Sequence, residues 1–218
     1  MSAEKFYKVL GRDGRAYFGG TGVWRKNMWR SVRGPLVPCR NGLHLCRAEH
    51  LVMWLGPTIW RAEYDGEMVE LDKVVVVRRA RVTERIDAWD ERTARLFAAD
   101  CAKRVLSLFE SVHPGDKRPR AAIQAARDFA EGRIDKAALD AARSAARAAG
   151  ARAEVVAAGA ARAADAAQAA VWATEAEAEV AVDASQAAAR AVEWPAAQYA
   201  EREWQTGRLL DYLDGRAG

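Results

Sequence analysis

Between residues 121 and 200, 37 of 80 residues are alanine, and that density leaves one regular conformation open. Alanine loses no rotamer entropy in a helix and offers a sheet neither a β-branch nor an aromatic ring, so the stretch is predicted to be helical. The same small side chain buries little area. Such helices hold together by close approach and need larger anchors at intervals. The anchors are Val155, Val156, Val171, Trp172, Val180, Val182, Val192, Trp194, Tyr199, Trp204, Leu209, Leu210, Tyr212 and Leu213, expected at core or interface positions. Helices with thin apolar stripes also self-associate, so a homo-oligomer is expected.

The character of the chain changes near Arg85–Asp90. The expected organisation is α+β: a small, mostly-β domain with one helix over residues 1–86, then an all-α, alanine-rich helical bundle over 87–218. In the front part, Lys5–Leu10 reads as a strand, with a turn at Gly11–Gly14 into Arg15–Phe18. Gly42–Cys46 alternates as a short strand, with Leu43 and Leu45 on one side and His44 and Cys46 on the other. A helical segment is expected over Ala48–Leu55. Asp65-Gly66 reads as the tight turn of a hairpin between Thr58–Tyr64 and Glu67–Leu71, and Lys73–Thr83 as a central strand, since Val74–Val77 is apolar on both faces.

Behind the boundary, a helical stripe of Leu96, Phe97, Cys101, Val105, Leu106 and Phe109 lies within Asp87–Val112 and stops at His113-Pro114-Gly115. A second helix starts near Pro119 and ends before Gly132. Asp135 caps a third, which is expected to break at Gly150. A long helix over Ala151–Val182, another capped by Asp183 or Ser185, and a last one opened by Pro195 and ending near Leu213 complete the set.

Several functions are poorly served by this sequence. Cys39, Cys46 and Cys101 are an odd number, and the N-terminus has no apolar signal region, so a reducing cytoplasm is expected. The longest strictly aliphatic run, Val74–Val77, is far short of the ~20 residues of a membrane span. Hydrolase, metalloprotease and phosphate-loop motifs are absent, and neither a catalytic residue nor a cofactor is assigned. Cys39, His44, Cys46 and His50 supply four zinc-type ligands, but their spacing does not present them in pairs on tight turns, so no metal is assigned.

One segment of the front domain has the composition of a ligand site. Trp24–Arg33 interleaves Trp24 and Trp29 with Arg25, Lys26, Arg30 and Arg33, the combination of stacking surface and positive charge used for nucleotides or single strands. Trp24, Arg25, Trp29, Arg30 and His44 are therefore the candidate binders of a small anionic ligand, with nucleic acid as an alternative partner of the same segment. Residues 1–89 carry 16 Lys or Arg against 10 Asp or Glu, which favours anions modestly.

From Asp100 to Ala130 the chain reads DCAKRVLSLFESVHPGDKRPRAAIQAARDFA. This resembles the Imm-five-like family of immunity proteins, whose pattern is an Asp-Cys helix with Phe-Glu near its end, then Pro-x-Asp-x-Arg-Pro-x-x-Ala-Ile-x-Ala-Ala-Arg. The resemblance covers about residues 90–194 and implies a protein that binds and neutralises a toxin, and a host-defence component is the other protein partner expected. Its matching polar residues Asp100, Arg104, Asp116, Arg118 and Arg127 are the candidate partner-binding set. They also suit a structural corner, with Asp116 capping the Pro119 helix and Arg104, Arg118 or Arg127 pairing with Asp100 or Glu110.

Residues 5–85, through Phe6-Tyr7-Lys8, Cys39-x-x-Gly-Leu-His-Leu-Cys46 and Asp72-Lys73-Val74-Val75, resemble an uncharacterised domain of phage and prophage proteins. The order of strands is also similar to ADP-ribosyltransferase-like folds, which would imply NAD or nucleotide binding. The sequence departs from them in lacking a catalytic Glu with a neighbouring Gln or Glu on a late strand, where only Glu63 and Glu70 stand. The expected function is that of a non-catalytic phage or mobile-element accessory protein acting by macromolecular binding, as an immunity or anti-defence factor.

Overall fold

The hexapeptide KFYKVL becomes strand β1 (Phe6–Leu10), and its two edges organise the front of the molecule. In the computed structural model, which describes residues 4–153, 187 and 195–217, the chain divides into two units, Met1–Ala88 and Trp89–Gly218. The first contains β1, β2 (Arg30–Ser31), β3 (Leu43–Arg47), a 3-10 helix (Ala48–Met53), β4 (Thr58–Glu70) and β5 (Val75–Arg85). All pairings between these strands are antiparallel. β1 lies between β3 and β4, while β5 pairs with β4 along most of its length and with β3 and β2 on its other edge. The strands β1, β3, β5 and β4 thus close a ring, and closure removes the exposed edges that an open sheet must protect.

Alternation fills this ring. Phe6 and Leu10 from β1, Leu43 and Leu45 from β3, and Val75 and Val77 from β5 form one apolar cluster with Trp24. Val75, Val76 and Val77 are all buried, as a strand covered on both faces requires.

Asp65-Gly66 is not a hairpin turn. β4 continues through it, and the register against β5 shifts between Asp65 and Met68. Gly66 has φ +82°, so the positive φ read as a turn is spent on a β-bulge, which kinks and twists one long strand. The chain reverses instead at Leu71–Val74, where the Leu71 N–H donates to the Val74 carbonyl (3.0 Å). Arg15–Phe18 likewise forms no strand. The Gly11–Gly14 turn is present, but only an isolated bridge joins Leu10 and Ala16. The helical segment after β3 is a 3-10 helix that buries Leu51 and Val52.

Among its described residues the second unit contains helices and the short connections between them. Helix α1 (Glu91–Val112) starts at a capping box, in which the Thr93 N–H donates to Asp90 Oδ1 and the Asp90 N–H to Thr93 Oγ1, each at 2.8 Å. The start is four residues later than the apolar stripe suggested, because the box satisfies the first free N–H groups. The stripe from Leu96 to Phe109 is buried. Helix α2 (Arg118–Ala130) carries Pro119 in its first turn, and α3 (Lys136–Ala153) is capped by Asp135, whose Oδ1 accepts from the Ala138 N–H (2.9 Å).

Helix α3 runs through Gly150 rather than breaking there, since one interior glycine costs only about 1 kcal/mol relative to alanine. Helix α4 (Pro195–Leu213) buries Leu209, Tyr212 and Leu213. Tyr199, expected among the anchors, is instead 75% exposed. The helices expected over Ala151–Val182 and from Asp183 or Ser185, and the anchors from Val155 to Trp194, lie outside the described residues. Among the described residues no helix is long and apolar enough to cross a membrane.

Candidate functional site

Helices α1 and α4 face each other through a buried polar layer built on helical spacing. On α4, Glu201, Gln205, Arg208 and Tyr212 recur at intervals of four, three and four, which puts them on one face. On α1, Asp100 and Arg104 are four apart and meet them. The buried Asp100 carboxylate accepts from Arg208 Nε (2.6 Å), from the Tyr212 hydroxyl (2.9 Å), and from Arg127 of α2. One acidic side chain therefore ties three helices.

Next to it, Glu201 is buried and accepts from Arg104 Nε (2.9 Å) and Gln205 Nε2 (3.0 Å), while Gln205 Oε1 accepts from Arg202 (3.0 Å). The Arg104 guanidinium also lies over the Trp204 ring, 4.7 Å from its centroid. Burial pushes the Glu201 carboxyl above its ordinary value despite these donors, and burial beside Asp100 raises the Tyr212 phenol. The fully buried Cys101 thiol is pushed well above the thiol range, so it is a packing group rather than a nucleophile.

The α1–α2 corner is held separately. Arg118 donates from its backbone N–H (3.1 Å) and from Nε (2.8 Å) to Asp116 Oδ1, and this pairing holds the Asp116 carboxyl below its usual range. Arg120 donates through Nε (2.7 Å) and Nη2 (2.5 Å) to the two oxygens of Glu110, whose carboxyl is lowered in the same way. Of the five candidate partner residues, Asp100 and Arg127 thus meet each other, Arg104 turns to Glu201, and Asp116 pairs with Arg118 at the start of α2. Glu201, Gln205, Arg208 and Arg120 were missed, and Tyr212 was expected as a buried anchor without its hydrogen bond to Asp100. The first three, with Tyr212, were legible as a polar stripe on α4, a face otherwise read for its apolar anchors.

In the front unit the candidate ligand residues do not converge on one surface. Trp24 is buried in the ring. Arg30 lies 5.2 Å over its face and donates to the carbonyls of Val23 and Thr21, both at 2.8 Å. A Cβ at Gly22, whose φ is +81°, would stand 2.8 Å from that guanidinium, so glycine there lets Arg30 lace the loop closed. Trp29 is covered by Arg79 (4.5 Å) and Arg81 (4.8 Å) of β5, and Arg25 is exposed.

His44 alone of the five lines a cavity of about 370 Å³, together with Lys8, Phe18, Cys39, Arg40 and Trp54 among others. Burial and the nearby Lys8 charge lower the His44 imidazole, and its Nε2 accepts from the Cys39 N–H (3.3 Å), which fixes the neutral ring with that nitrogen unprotonated. Burial also pushes the Cys46 thiol up to about 12. Among the described residues, no three of the His, Cys, Asp and Glu side chains form a group able to hold a metal ion.

Residues 84–212, more than half of the chain, match the family described as "Imm-5 like putative immunity protein". The chain belongs to this family. No curated protein and no solved structure matches it. The matched stretch takes in α1, α2, α3 and all of α4 but its last residue, so the Asp100 and Glu201 layer lies inside the family's segment. The front unit, with its cavity, lies almost wholly before it.

Proposed function

We propose that the chain is a non-catalytic immunity factor that acts by binding a protein partner, a toxin or a host-defence component, through the helices of residues 87–218. The observation that carries this reading is the use of the family residues. Asp100, Arg104, Asp116, Arg118 and Arg127 are satisfied by other side chains of the same unit, and the buried Cys101 thiol beside them is held protonated. Such a layer fixes one helix arrangement without supplying a nucleophile or a general base, which suits a rigid docking scaffold.

The protein is proposed to work in the cytoplasm as an accessory factor of a phage or mobile element, with residues 1–86 as a separate domain and self-association through the alanine-rich helices. Nucleotide or nucleic-acid binding by Trp24–Arg33 has less support, because Arg30 is spent on the loop carbonyls and Trp29 on Arg79 and Arg81.

Co-expression with each growth-arresting product of the neighbouring genes tests the proposal. Growth should be restored by the wild-type chain and equally by His44→Ala. Restoration that needs His44, or no restoration, would contradict it.

A further inference from the structure

Strands β1 and β3 pair only through Phe6 with Arg47 and Tyr7 with Cys46. Beyond that point they part, and the cavity opens among Lys8, Val9, Gly42 and His44. Across the parting the Lys8 ammonium donates to the His44 carbonyl (2.8 Å) and lies 5.3 Å from the centroid of the Trp24 ring. Both partners suit a cation, but neither neutralises it. No carboxylate pairs with Lys8 among the described residues, although a buried charge ordinarily requires a counter-charge. A second cation, Arg40, stands exposed on the cavity wall, and no Asp or Glu is found on that wall. Phe18, 51% exposed, stacks edge-on against Trp54 (5.4 Å), and both rings line the cavity.

A partly open volume, aromatic walls and unneutralised positive charge together suit a small-molecule site rather than a packing defect. We infer that this cavity binds an aromatic organic anion, with the ring against Trp54 and Phe18 and the anionic group supplying the counter-charge that Lys8 and Arg40 lack. A cavity of about 370 Å³ falls at the lower end of ligand pockets, roughly 300–1,000 Å³, so one ring system with one charged substituent is the fitting size. The site lies outside Trp24–Arg33 and outside the family segment, and it stands or falls independently of toxin binding.

Carboxylate and phosphate share the required chemistry, and calorimetry on the full chain separates them. The probes are indole-3-carboxylate and adenosine 5′-monophosphate, with indole and adenosine as their uncharged counterparts. At least one anion should bind tenfold or more tightly than its neutral counterpart, and the one that does identifies the group. Lys8→Met, folded by circular dichroism, should lose that advantage. Arg40→Met, a surface change that leaves the core untouched, should reduce it severalfold. Equal binding of charged and neutral probes, no binding by either anion at millimolar concentration, or an unchanged preference in both variants would overturn the inference. If Lys8→Met does not fold, the Arg40→Met result decides.

Discussion

Asp100 is the single acceptor for three donors from two helices, and its removal should show how much of the second unit depends on that layer. Taking one partner from a buried, hydrogen-bonded charge pair costs about 3–5 kcal/mol, because the remaining charges stay buried without compensation. Arg127 and Arg208 keep 24% and 26% of their side chains exposed, so both guanidiniums regain some water. Asp100→Ala should therefore fall at the low end, about 3 kcal/mol. Asp100→Asn, which keeps one carbonyl oxygen for the Tyr212 hydroxyl, should cost about 2 kcal/mol. Urea unfolding followed by the helical circular-dichroism signal would give these values, provided the denaturant slope is unchanged. In a double-mutant cycle, Asp100→Asn with Arg208→Gln should show a coupling of about 1 kcal/mol or more. A loss below about 1 kcal/mol, with toxin binding abolished, would mean that Asp100 serves the partner and not the scaffold.

Three further outcomes concern Lys8, Glu201 and Gly66. Lys8 is held down to about 8 by burial, with Arg30 adding to the shift and Cys46 opposing it. A lowered lysine destabilises the fold while it is charged, a burden lifted as pH rises from about 8 towards the ordinary value. At about 1.36 kcal/mol per unit, the advantage of Lys8→Met in urea unfolding should shrink by about 2 kcal/mol between pH 7 and 9.5. The Glu201 carboxyl is raised by burial, so whatever stability it contributes is present at low pH and lost as pH rises through the raised value. Glu201→Gln should then be neutral or stabilising by up to about 1 kcal/mol at pH 7, whereas a loss above 2 kcal/mol would show that the Arg104 pair outweighs burial. Gly66→Ala should cost about 1–2 kcal/mol, because a Cβ there has open space but the left-handed backbone remains strained. An unchanged melting temperature would argue against the bulge.

The elements legible in the sequence were those whose periodicity agrees with their burial. β1, β3 and β5 alternate or run apolar where the ring covers them, and the stripe from Leu96 to Phe109 is buried as its spacing predicted. Misreadings came where one local signal serves two structures. Positive φ at Gly66 suits a bulge as well as a turn, and only the pairing of β4 with β5 on both sides of it decides. Asp100–Arg127 was one of several pairings left open between Arg104, Arg118 or Arg127 and Asp100 or Glu110, while the partners on α4 are about a hundred residues away in sequence, and no local spacing announces a contact of that range. Lys8 was missed for a simpler reason. A lysine between apolar neighbours on a strand reads as an outward residue, yet it shares the inward face with Phe6 and Leu10.

The most direct measurement is a titration, with the purified chain, of whichever toxin activity its co-expression suppresses. A docking scaffold predicts that inhibition is linear in added protein, is complete at a fixed whole-number ratio, and is accompanied by a stable complex of the same ratio on gel filtration. Loss of toxin activity at far less than one equivalent, growing with time and leaving a chemically altered toxin or substrate, would show catalysis and contradict the account.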